Sequence, residues 1–178
     1  MPFDSFMYFT GPGAGGSAIE GETTDKAMSA NKAFELESFT FTAENSTNIG
    51  SATGGAGGGG KVTIEKVSFT KKGDKASAGL LKNLMTGGHF DEVFVSLRRS
   101  GGTAGGTGSE FVKFSFKMCA ISSFEYSASD GDDDPEESVT MDFGAVKMEY
   151  FAQDKTGKMG KAMDALWSRK LNSPEYAV

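Results

Sequence analysis

Residues 61–99, KVTIEKVSFTKKGDKASAGLLKNLMTGGHFDEVFVSLRR, change period twice, and each change carries its own boundary signal. Val62, Ile64, Val67 and Phe69, and later Val93, Val95 and Leu97, recur at the spacing of strands. Between them Ala76, Leu80, Leu81 and Leu84 fall on one helical face. Asp74 stands where it can accept from the free amides of the first turn, and Gly87 with Gly88 stands where a helix stops. A single amphipathic helix between strands must bury its leucines against a sheet or the end of a barrel. The chain is therefore expected to be mainly β with one helix on its side.

Such a fold needs a core, and 15 phenylalanines among 178 residues supply one for a single globule. The net charge of −6 lacks the clustered Lys and Arg that nucleic acid requires. The one cysteine, Cys119, sits in an apolar strand pattern and reads as an inert core residue with no disulfide partner. Residues 1–9, MPFDSFMYF, have neither the basic region nor the apolar run of a signal peptide. With no stretch near the ~20 apolar residues of a membrane span, the expectation is a chain made in the cytosol.

Several glycine and acidic motifs look chemical and fail on context. Gly11, Gly13 and Gly16 fit G-x-G-x-x-G after the strand at residues 3–9, but no helical run follows to point amides at a pyrophosphate. Residues 55–61 fit G-x-x-x-x-G-K, yet Val62 occupies the magnesium-binding hydroxyl position and a strand follows. Counting a calcium loop from Asp130 puts Pro135 at the sixth position and Met141 at the twelfth, so SDGDDDPEE is a solvated turn. His89 has no second His or Cys near it. No nucleophile, base and orienting group assemble, so neither an enzyme nor a cofactor is expected.

The remaining strands show breaks in phase. In residues 33–43 Phe34 and Leu36 take one face and Phe39 and Phe41 the other, which calls for a bulge or for cover on both faces. Residues 111–118 put Val112, Phe114, Phe116 and Met118 inward, with a kink near Cys119 before residues 121–126. Residues 138–151 read as one long strand whose phase switches at Gly144, as a strand bulge would do. Residues 44–60 read as a long polar loop and 100–109 as a glycine-rich hairpin tip. Met159, Met163, Leu166 and Trp167 fit a short helical stripe or a final strand. The expected division is a domain over 1–154 and a polar C-terminal tail over 155–178, anchored by one aromatic.

The run FTKKGDKASAGLLKNLMTGGHFDEVFVSLRRSGG resembles the strand, helix, strand centre of the haemolysin-coregulated protein (Hcp) family, the tube subunits of bacterial type VI secretion. Three further pieces agree in order: Ile19, Gly21, Glu22, Thr23 and Asp25 before the second strand; the acidic turn from Gly131 to Pro135; and Phe143 with Gly144 before a strand ending at Tyr150. The resemblance implies a small antiparallel β-barrel of two packed sheets with one α-helix on its side. It also implies hexameric rings that stack into a tube, carry effectors in the lumen, and are exported from the bacterial cytoplasm without a cleaved signal. The implied partners are other copies of the chain, a sheath, a tip spike protein and effector proteins. In that family the loop at residues 44–60 reaches the adjacent ring, which makes Thr47, Asn48, Ser51 and Thr53 the expected stacking contacts. A tail-tube protein of a phage-like contractile particle would share the fold. A monomeric ligand-binding barrel would show the same strands but no self-association.

Overall fold

The computed structural model describes residues 3–13, 15–46, 62–99, 108–131, 133–154 and 159–178. In chain order its elements are β1 (Phe3–Pro12), β2 (Phe34–Glu35), β3 (Ser38–Thr40), β4 (Ala43–Asn45), β5 (Val62–Ile64), β6 (Val67–Lys72), α1 (Ser77–Thr86), β7 (Phe90–Arg99), β8 (Ser109–Ser127), β9 (Glu136–Asp142), β10 (Ala145–Gln153) and β11 (Met159–Ser168). All the pairings among them are antiparallel. One sheet runs β2-β1-β7-β8-β10-β11 and the other β3-β6-β9-β8. They share β8, whose first half belongs to the first sheet and whose second half belongs to the second. The fold is thus the expected pair of packed sheets with one helix. Hydrogen bonds between described strands do not close it into a continuous barrel.

Sharing a strand forces a bend, and the sequence pattern breaks there. Val112, Phe114 and Phe116 are buried, whereas Met118 is exposed with a φ of 52°, a region that non-glycine residues seldom occupy. Burial resumes one residue out of phase at Cys119 and Ile121. The expectation that Met118 points inward is corrected: the bend falls on it and turns its side chain out. Opposite the bend, the long strand read over 138–151 is two strands, β9 on the second sheet and β10 on the first, joined through Phe143 and Gly144.

The phase slip in residues 33–43 has a similar cause. β2 pairs with β1 in the first sheet, β3 pairs with β6 in the second, and β4 pairs with β5 in a ribbon outside both. Three short strands with three partners need three face assignments, so no single alternation could run through them. The polar tail expected over 155–178 is also corrected. Residues 159–168 form β11, paired along β10 from Gln153 to Ala145, and Trp167 lies opposite Val146. The pairing with β10 satisfies the backbone that a free tail would leave to water.

The helix stops where its sequence signals indicate, but its N-cap is Ala76, with no side-chain cap, and Asp74 acts in the turn before it. The Asp74 carboxylate accepts from the Ala76 N–H at 2.9 Å while the Asp74 N–H donates to the Ser77 hydroxyl, also at 2.9 Å. Gly87 ends the helix with a φ of 66°, where a side chain would be strained. Leu80 is buried, but the second buried helical side chain is Asn83 rather than another leucine. Its amide receives the Ser17 N–H at 2.8 Å and donates to the Ser17 carbonyl at 2.9 Å, so α1 holds the glycine-rich segment after β1.

At the helix N-terminus a cation is buried. Lys71 and Glu137 face each other across β6 and β9 with 1% and 0% of their surfaces exposed. The ammonium lies 2.8 Å from Glu137 Oε2 and 2.7 Å from Asp74 Oδ1, and it also donates to the Lys72 carbonyl at 2.7 Å. Removing one partner strands the other charge without water, which costs about 3–5 kcal/mol. Lys71→Ala should therefore lose about that much stability in urea unfolding, whereas Lys71→Met combined with Glu137→Leu should recover most of it.

Candidate assembly surfaces

Three places in this fold stand out, and the first is the edge of the first sheet. Tyr150 lies opposite Val112 on one side and Met163 on the other, and Met148 lies between Phe114 and Ala165. Directly opposed residues of antiparallel strands share a face, so these rows continue the core face. Phe41 covers part of it, with its ring 5.4 Å from that of Phe114, 6.3 Å from Phe116 and 6.4 Å from Phe143. Beyond that cover the face runs into solvent. Met163 is 72% exposed and Met148 and Tyr150 are each 37% exposed. Single apolar residues on a surface are ordinary, but a core face that continues past its cover marks a contact. The backbone edge of β11 carries Lys161 and Asp164, both exposed, of the kind that blunts unspecific strand pairing.

The second feature is the β4–β5 ribbon. Ala43, Glu44 and Asn45 are all exposed, while Ile64 at the base is buried in the core. A two-stranded ribbon has little stability of its own, so its footing on Ile64 is what sets its direction. Thr47, Asn48, Ser51 and Thr53 belong to the segment joining β4 and β5 and lie outside the described residues.

The third is the bend. Gly144 was expected to be a strand bulge with unusual backbone angles, but its φ is not in the left-handed region. It sits in the link between β9 and β10, and its N–H donates to the Lys117 carbonyl at 2.8 Å. Val178 packs against it closely enough that its Cγ1 would lie 2.6 Å from a Cβ at this position, so any larger residue would have to displace the Val178 side chain. Nearby, Arg169 pairs with Asp142, donates to the Phe143 carbonyl at 2.9 Å and lies over the Phe143 ring at 4.9 Å. Partial burial pushes the Asp142 carboxyl up, but the Arg169 hydrogen bond and charge outweigh it and hold the group below its ordinary value. Tyr176, half-buried against Glu92, is held above the usual phenol value by burial and by that carboxylate, and so remains a donor.

Cys119 is fully buried, and burial raises its thiol far from the thiolate form that reacts. Among the described residues no group of three or more His, Cys, Asp or Glu could hold a metal ion. No described helix is long and apolar enough to cross a membrane. Asn83 and the Lys71–Glu137 pair escaped the sequence reading, because nothing local tells a buried polar residue from a surface one. The exposed rows were half visible: Met148 and Tyr150 read as a strand phase, but Met163 joined them only once β11 paired with β10.

The family profile described as "Type VI secretion system effector, Hcp" matches residues 6–150, from the first sheet's β1 through most of β10. The chain belongs to the Hcp family. The curated Protein hcp1 of Pseudomonas aeruginosa is 29% identical over 113 residues, which is 63% of this chain and 68% of that one. A solved type six secretion system protein superposes with a TM-score of 0.81 at 28% identity, over 97% of this chain and 99% of its own. Hcp1 from Salmonella typhimurium has a TM-score of 0.71 at 24% identity, over 97% and 98% of the two chains, and shares the fold. Both superpositions cover a larger share of this chain than the profile's residues 6–150 do.

The ion pair at the bend makes one pH dependence predictable. A carboxyl whose folded value lies below its unfolded value of 3.8 contributes stability that is present above that pH and fades as the pH falls through the folded value. Asp142→Asn should therefore melt below the parent at pH 7, and the gap should narrow in melts taken progressively below about pH 4.

Proposed function

We propose that this chain is a structural subunit of the type VI secretion inner tube, with no catalytic role. Six copies close a ring side by side, rings stack into a tube, effectors travel in the lumen, and the subunit is itself exported from the bacterial cytoplasm. The observation that carries this reading is the core face at β11. Met148, Tyr150 and Met163 continue the buried rows of β8 into solvent, and a neighbouring copy would cover what a single copy leaves bare. Ring closure would use this side contact, while the β4–β5 ribbon, which pairs with neither sheet, would supply a separate contact along the tube axis. Sheath, tip spike and effectors are the partners this assembly requires.

A ligand-binding barrel would need room between its sheets. Here that space holds phenylalanine rings, with Phe116 and Phe143 at 4.9 Å, Phe39 and Phe114 at 5.1 Å, and Phe9 and Phe90 at 4.8 Å between centroids. Packing of this kind supports a structural subunit over a binding one.

Two experiments test the reading. Light scattering behind size exclusion should give a hexamer for the parent, and Met163→Glu with Tyr150→Ser should give a monomer that melts within a few degrees of it, since surface changes cost about 0.5 kcal/mol or less. A monomeric parent at micromolar concentration would sink the proposal. Replacing residues 47–59 by a short Gly-Ser turn should leave hexamers intact but abolish tubes seen by negative-stain microscopy, and secretion with them.

A further inference from the structure

The bend between the sheets is held from outside by residues that follow β11. After Ser168 the chain turns tightly, with the Ser168 N–H donating to the Ser173 carbonyl at 2.9 Å and the Leu171 N–H to the Ser168 hydroxyl at 3.0 Å. The Arg169 and Lys170 amides both donate to the Gly144 carbonyl, at 2.8 and 3.3 Å. Further on, the Tyr176 hydroxyl donates to Glu92 Oε1 at 3.2 Å, and the Lys117 ammonium donates to the Tyr176 carbonyl at 3.2 Å while lying 4.5 Å above the Tyr176 ring. Val178 then packs onto Gly144. One short segment thus touches β7 at Glu92, β8 at Lys117, the end of β9 at Asp142 and the link at Gly144.

Those contacts fall where the ladders of β8 with β9 and β10 are interrupted, while the β7–β8 pairing continues on either side. The β8–β10 ladder stops at Lys117, the β8–β9 ladder begins at Ala120, and Met118 between them has no ladder partner and a positive φ. The segment itself is lightly held. The Arg169 and Lys170 amides join its backbone to the link at Gly144, a Ser168–Ser173 bridge closes its turn, and Leu171 and Val178 are exposed. Segments with few buried apolar contacts open before the core does.

We propose that residues 169–178 are a releasable strap that locks the angle between the two sheets at Met118 and Gly144, and that it opens as a unit while both sheets stay folded. The β11 edge lies on the first sheet and the β4–β5 ribbon leaves from strands of the second, so an open strap would leave the relative orientation of the two contact surfaces to β8 and the core alone. That consequence rests on the tube reading. The strap itself does not.

Amide hydrogen exchange followed by mass spectrometry on the full chain tests it, with two variants that disturb the strap from opposite sides. Tyr176→Phe removes the hydroxyl that reaches Glu92, and Gly144→Ala adds a Cβ where Val178 sits. In each, amides of 168–178 together with 117–119 and 143–146 should exchange roughly tenfold faster than in the parent, the scale of one hydrogen bond to a charged group. Amides of β1, β6 and β7 should keep the parent's rates. Unchanged exchange at the bend in both variants would overturn the proposal, as would acceleration spread over both sheets at once. Scattering on the same samples separates the two readings: local opening in a chain that never forms rings would sink the tube and leave the strap standing.

Discussion

A strand of nineteen residues is longer than either layer of this molecule can use, and the fold is built around that excess. β8 spends its first half in one sheet and its second half in the other, so the two layers are covalently one ladder with a corner in it. Everything opposite the corner has to turn with it. β9 and β10 are the two halves of one traverse, divided at Phe143 and Gly144 because β8 divides at Met118. The cost of a non-glycine residue at φ 52° is about 1–3 kcal/mol, and the Arg169 and Tyr176 contacts gather where that strain is stored.

Corner geometry also explains why apolar surface is left over. A bent strand lays the second sheet over only part of the first, and Phe41 fills the margin without reaching β10 and β11. The rows Val112–Tyr150–Met163 and Phe114–Met148–Ala165 therefore begin in the core and end in solvent. In a monomer this is a defect. In the proposed ring, it is the part of the core that a second copy would complete.

The buried polar groups do a different job. Neither Lys71–Glu137 nor Asn83 adds apolar burial, but each fixes an alignment that apolar contacts leave free. The ion pair sets β6 against β9 and, through Asp74, seats the start of α1. The Asn83 amide holds the segment after β1 against the helix by two backbone hydrogen bonds. Apolar surfaces tolerate sliding. Paired hydrogen bonds do not.

The local parts of this architecture were written in the chain: the period of residues 62–72 and 90–99, the Asp74 turn that opens α1 and the Gly87 that stops it. Resemblance in four ordered pieces also pointed to the family that residues 6–150 match. What the sequence could not settle were pairings between distant residues. The phase slip at Phe34 to Phe41 was visible, but which sheet took each piece was not. Met118 kept the inward alternation on paper, and residues 159–168 looked like a polar tail. A strand's face and partner depend on which neighbour supplies its hydrogen bonds, and that neighbour can lie some eighty residues away, as Glu92 of β7 does from Thr10 of β1. Alternation and capping are local properties and can be read locally. Register, corner and uncovered edge are properties of the packed sheets, and only the tertiary structure decides them.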